Sequence, residues 1–100
     1  MELRDFGWAI RKMKQGECVA RSGWNGKGMF IFLREGRIIK NVDGPMREVA
    51  GVTEFESLPH ICMKAADGKL VVGWLASQTD MLSDDWELVG NMSKALDAAG

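Results

Sequence analysis

Asp67-Gly68 stands between two apolar runs, His60-Ile61-Cys62-Met63-Lys64 and Lys69-Leu70-Val71-Val72. With Ala66 before it, Asp-Gly between two apolar runs is a strong short-range hairpin signal. It commits this half of the chain to antiparallel sheet. Other runs share the character. Cys18-Val19-Ala20-Arg21 and Met29-Phe30-Ile31-Phe32-Leu33 flank a glycine-rich loop. Both read as strands, the second on its aromatic and β-branched residues. Arg37-Ile38-Ile39-Lys40 follows the turn Arg34-Glu35-Gly36-Arg37 and reads as the hairpin partner of the strand before it. Trp86-Glu87-Leu88-Val89 alternates apolar and polar and reads as the last strand.

One helix precedes these strands. Phe6, Ile10 and Met13 fall at i, i+4 and i+7, and Ala9 widens the stripe. Asp5 is placed to cap the start, Lys12 and Lys14 suit the negative end of the dipole, and Gly16 marks the stop. The spacing predicts a helix over 6–15, with Trp8 off the main stripe, either at the edge of the core or at a subunit contact. Residues 41–57 carry no periodicity and are punctuated by Asn41, Asp43-Gly44-Pro45 and Gly51. They read as a lid or as an arm reaching a neighbour. Residues 73–85 read as a polar loop, and Asn91 to Gly100 as a short helix or a loose tail. The fold expected is α+β: one N-terminal helix on a small antiparallel sheet of about five strands. It forms a single ligand-binding domain over 1–89, with a tail over 90–100.

One hundred residues bury a modest core, so homo-oligomerisation would help such a domain. A net charge of −1, with no long run of one sign, argues against a general nucleic-acid binder. The start is charged, and no apolar run approaches the ~18 residues of a membrane span. A cytoplasmic chain with two buried thiols, Cys18 and Cys62, is therefore expected rather than a disulfide.

The glycine-rich loop is Arg21-Ser22-Gly23-Trp24-Asn25-Gly26-Lys27-Gly28-Met29. Trp24 offers a flat face. Asn25 and Lys27 offer donors, and Gly26 and Gly28 let backbone amides approach a ligand. That mixture suits a flat base carrying negative charge. A second stretch, Gly73 to Leu82, sets Trp74 before Ser77, Gln78, Thr79 and Asp80. Its hydroxyls and carboxylate suit ribose hydroxyls, and equally a turn bonded to its own backbone. Asp84-Asp85 read as a solvated turn. The two loops are expected to face one small-molecule site. The glycine spacing fits neither Walker A nor G-x-G-x-x-G. His60 and Cys62 point to one face of a strand, but two ligands do not complete a zinc site. Neither a metal, a cofactor nor a catalytic constellation is expected.

Taken together, several segments resemble a family of small phage and bacterial proteins. They are Trp24 to Met29, Pro59 to Lys64, Asp67-Gly68, and the run from Trp74 to Trp86. The family contains the second type of Thoeris anti-defence protein, and the resemblance spans residues 5 to 89. Thoeris defence makes a cyclic ADP-ribose isomer from NAD as an alarm signal. The resemblance implies a sponge that binds this signal intact in pockets between subunits, keeps it from the effector, and assembles as a homotetramer in the infected bacterial cell. Some members also hold cyclic oligonucleotides at a separate site. In that picture Trp24 or Trp74 stacks the base, and Lys27 with the glycine-loop amides meets the pyrophosphate. Asn25, Ser77, Thr79 and Asp80 take ribose hydroxyls. Two rival readings stand beside it. One is a nucleotide-cleaving enzyme using Asp80 or His60; the other is a phage structural or host-protein interaction module anchored by tryptophans.

Overall fold

In a computed structural model of the chain the described residues are 4–91. The elements are α1 (Phe6–Lys14), β1 (Glu17–Arg21), β2 (Phe30–Arg34), β3 (Arg37–Lys40), α2 (Pro45–Glu48), β4 (Glu54–Ser57), β5 (His60–Lys64), β6 (Leu70–Val72), α3 (Gln78–Leu82) and β7 (Trp86–Asn91). Five strands make one antiparallel sheet in the order β6-β5-β2-β1-β7, with α1 packed on β1, β7 and β2. This is the α+β architecture expected. The expected last strand runs on to Asn91, and the helix or tail expected beyond it lies outside the described residues.

α1 starts where Asp5 accepts the Trp8 amide at 2.8 Å and stops before Gly16, whose φ is +88°. Its buried residues are Trp8, Ala9 and Met13, while Phe6 and Ile10 are only partly covered. Trp8 is thus inside the core and not at its edge. The helix lies rotated toward Trp8, and Arg4 and Lys12 place their charges 5.3 and 6.0 Å from its ring centroid.

Strand alternation sorts the core into two faces. Val19, Ile31, Met63 and Trp86 join the α1 residues on one. Cys18, Ala20, Phe30, Phe32 and Cys62 cluster on the other. Val19 pairs with Ile31 and Phe32 with Cys62, so β2 runs between the two cysteine-bearing strands. Two inter-strand spacings separate the cysteines by about 9.5 Å, beyond the roughly 7 Å limit for a bridge. Both are free thiols, as expected. Burial pushes the Cys18 thiol up to about 11 from 9.0, and Glu17 adds to the effect. The stability this thiol contributes is complete below pH 9.0 and lost as pH rises toward 11, because only the unfolded thiol ionises in that window. We expect the melting temperature to fall across that range, and the fall to be shallower in Cys18→Ala. Calorimetry at stepped pH checks this.

β3 does not pair with β2, the partner expected of it. It pairs with β4, Arg37 opposite Ser57 through Lys40 opposite Glu54. β2 pairs instead with β5, ending at Arg34 opposite His60. Three residues advance on each strand between those two pairs, so β2–β3 and β5–β4 form one continuous ribbon. Pro59, lacking an N–H, interrupts the ladder where the ribbon leaves the sheet. Gly36 faces that break closely: a Cβ there would lie 2.5 Å from the Ser57 carbonyl oxygen. Residues 41–57, expected as lid or arm, therefore form the far half of an arm, with α2 begun by Gly44 and Pro45 at its tip.

The registers fix what lies at each end of the sheet. Arg21 pairs with Trp86 and Phe30 with Lys64. Hence the 22–29 loop, the 65–69 turn and the entry to β7 share one end. The arm leaves from the other. Residues 73–85 return from the arm end to the loop end along the helix face, and α3 packs against α1 on the way.

Candidate ligand pocket

At the loop end lies a pocket of about 340 Å³ whose lining includes Arg21, Trp24, Asn25, Lys27, Gly28 and Glu87. Gly26 belongs to the same wall. The first loop thus supplies one side of a cavity. Asn25 and Lys27 are exposed to the solvent side, and Trp24 is half-buried. Gly28 holds φ at +73°, a conformation that favours glycine. Its carbonyl accepts Lys64 Nζ at 3.1 Å, which ties the loop to β5. A Cβ on Gly26 would overlap Met29 Sδ and stand 3.0 Å from the Ala66 Cβ. The loop packs on the β5–β6 turn too closely for a larger residue there.

Trp24 is the hub. It packs against both core clusters. Its ring meets Trp74 edge-on at 6.1 Å and Trp86 at 5.4 Å. Its Nε1 donates to Asp80 Oδ1 at 3.1 Å. The same oxygen accepts Arg21 Nη1 at 2.8 Å, and Arg21 Nε donates to Asp85 Oδ1 at 2.8 Å. Asp85 Oδ2 also accepts the Gly23 amide at 2.9 Å. Burial acts to raise the Asp80 carboxyl, but bonds from Arg21, then Trp24 and Ser77, outweigh it and hold the group below the ordinary carboxylate value. The Arg21 guanidinium likewise lowers Asp85, against burial and with help from the Gly23 amide. Arg21 itself is raised by the hydrogen bonds it donates to Asp85 and Asp80. With Arg21 doubly neutralised, Lys27 is the free positive group of the loop.

The second stretch contains structure where a polar loop was expected. Ser77 caps α3: its Oγ accepts the Asp80 amide at 3.1 Å, and Asp80 Oδ2 accepts the Ser77 amide at 3.4 Å. Five residues cannot nucleate a helix unaided. This reciprocal box closes it, and Trp86 Nε1 donating to the Asp80 carbonyl at 3.1 Å anchors it. Gln78 and Thr79 are exposed, and Trp74 is half-buried. The two stretches do meet, through Trp24 with Trp74 and Asp80. The 340 Å³ pocket, however, is lined from the first loop and β7, and Trp74, Ser77, Gln78, Thr79 and Asp80 are not on its wall.

Sequence reasoning missed Arg21 and Asp85. Asp85 is no solvated turn; it orients both the guanidinium and the loop backbone. The signal that finds it is register, since Arg21 opposite Trp86 sets Asp85 beside the guanidinium. His60, the alternative to Asp80 as the acid–base group of a nucleotide-cleaving enzyme, lies at the opposite end of the sheet. Its Nδ1 is bonded to the Leu58 carbonyl at 2.9 Å. Among the described residues, no group of three or more His, Cys, Asp or Glu is placed to hold a metal ion.

Comparison with known proteins gives two matches that bear on this pocket. The Thoeris anti-defense 2-like domain family matches residues 4–89. Thoeris anti-defense 2 of Bacillus phage SP01 is 41% identical over 88 residues, covering 84% of this chain and 92% of that protein. The matched range takes in both loops, Arg21 and Asp85.

Proposed function

Because the chain belongs to the Thoeris anti-defense 2-like family, we propose that it serves a phage against Thoeris defence by sequestering a cyclic ADP-ribose isomer without turnover. The observation that carries the reading is the 340 Å³ pocket, which sets Trp24, Asn25, Lys27 and the Gly26–Gly28 backbone on one wall. Trp24 contributes a face for adenine, worth roughly 1–3 kcal/mol. Lys27 and the loop amides meet the pyrophosphate. An effective sponge needs nanomolar affinity, about −12 kcal/mol, so stacking covers only a part. The volume is at the small end for a ligand site, roughly 300–1,000 Å³. A second protomer closing over the mouth would complete the enclosure, and exposed Gln78 and Thr79 stand ready to contribute from that side. We take the assembly to be a homotetramer acting in the cytoplasm of the infected cell.

A cyclic oligonucleotide, the second signal implied for some members, has a separate seat at the foot of the arm. A cavity of about 240 Å³ there is lined in part by Arg34, Arg37, Ser57 and His60. His60 Nε2 is buried and has no partner among the described residues.

Native mass spectrometry with a mixture of cyclic ADP-ribose isomers, followed by heat release and chromatography, tests the main reading. We expect one intact isomer at a fixed ratio to an oligomer. Recovery of a cleaved nucleotide would replace the sponge with an enzyme. No bound nucleotide at micromolar concentration would remove both.

A further inference from the structure

We propose that Arg21 is a positioning residue that holds Trp24 and the Ser22–Gly23 turn in their binding geometry before any ligand arrives. The inference rests on the reading of the glycine loop as the ligand wall, and it assigns Asp80 an inward role. Arg21 is the last residue of β1, so its backbone is fixed by the sheet. Its side chain reaches across to two carboxylates from a different part of the chain, and the Arg21 and Asp80 side chains are only 14% and 13% exposed. A guanidinium has donors on two edges and can serve two carboxylates at once; an ammonium is a point charge without that fork.

Each carboxylate passes the constraint on. Asp80 Oδ1, fixed by Arg21, accepts the Trp24 indole and sets the rotation of that ring. Asp85 Oδ2 accepts the Gly23 amide, and the Asp85 carbonyl accepts the Ser22 amide at 3.0 Å. The Arg21 carbonyl takes the Trp24 amide at 3.2 Å, closing the turn. A Cβ at position 23 would lie 2.8 Å from Asp85 Oδ2, so any larger residue there must displace the carboxylate that holds the turn. The three residues after Arg21 are thereby bonded to Arg21, Asp80 or Asp85, and two of them, Ser22 and Trp24, line the pocket. Such a wall is rigid in the free protein, so little ordering remains to be done on binding.

The test uses the full chain labelled with 5-fluorotryptophan. The Trp24 fluorine signal is assigned by its absence from Trp24→Phe. Arg21→Lys keeps the charge and loses the fork. We expect the Trp24 signal of the ligand-free protein to shift and broaden in this variant. Affinity for the cyclic ADP-ribose isomer that the wild-type protein retains should fall about tenfold, with the melting temperature changed by less than about 5 °C. Asp85→Asn should move the signal in the same direction. An unmoved Trp24 signal with weakened binding would make Arg21 a direct ligand contact and overturn the proposal. A shifted signal with unchanged affinity would overturn it as well. If the wild-type protein binds no cyclic ADP-ribose isomer, the sponge reading fails, and the ligand-free fluorine signal still decides whether Arg21 holds Trp24.

Discussion

Trp86→Ala is expected to lower the melting temperature by about 15 °C or more, since truncating a buried tryptophan costs about 3–5 kcal/mol and each kcal/mol is worth roughly 4–8 °C in a domain this small. Trp86 is fully buried. Its ring packs on Phe6 at 5.3 Å and on Trp24 at 5.4 Å. It therefore joins α1, β7 and the glycine loop in one contact. Its indole N–H anchors α3, so alanine would release that helix and leave the Asp80 carbonyl without its donor. Trp86→Phe keeps most of the apolar contact and should recover more than half of the loss. Thermal unfolding followed by far-ultraviolet circular dichroism is the measurement. A drop under about 5 °C in Trp86→Ala would mean that the core tolerates the cavity and that α3 does not depend on Trp86.

The largest effect on ligand binding is expected from Trp24→Ala, about 100-fold or more in affinity. Loss of the stacking face alone accounts for roughly 1–3 kcal/mol. Loss of the hub adds to it, because the Trp24 ring links the two loops through Trp74 and Asp80. Trp24→Phe separates the parts: it keeps a ring and removes the indole donor, and should fall between wild type and alanine. Titration calorimetry with the isomer recovered from the mass-spectrometric experiment, at a temperature where circular dichroism shows each variant folded, measures this. Wild-type affinity in Trp24→Ala would place the base elsewhere, and Trp74 would be the next face to test.

What the sequence made legible was local. Asp67-Gly68 specifies its hairpin because turn chemistry and flanking runs lie within a dozen residues. Asp5 and Gly16 bracket α1 for the same reason. The partner of β3 was not legible. Pairing with the neighbouring strand is the default for Arg37 to Lys40, and only the match of β2 with β5 across 25 intervening residues displaces it. α3 was hidden because a five-residue helix has no periodicity to read; its box, Ser77 with Asp80, looks like an ordinary turn. In the pocket, the loop from Trp24 to Gly28 announced itself by composition. Asp85 did not, since its role depends on where β7 docks against β1. Asp80 was marked for a ribose because its carboxylate is chemically suitable. The structure shows that carboxylate already bonded to Arg21, Trp24 and Ser77.

The ribbon that leaves the sheet at Pro59 also sets where the chain can change length. One residue inserted in β3 alone would move every later pair by one place. Ile39, which lines the cavity at its foot opposite Phe55, would then swap faces with its neighbours. A tolerated insertion there must be matched by another on the opposite strand. The tip has no such bookkeeping: residues 41–53 sit beyond the last β3–β4 pair, and α2 buries no side chain. Foreign sequence belongs at that tip. An affinity tag or a tethering peptide inserted there would extend the arm away from the glycine loop and leave both ends of the sheet in register.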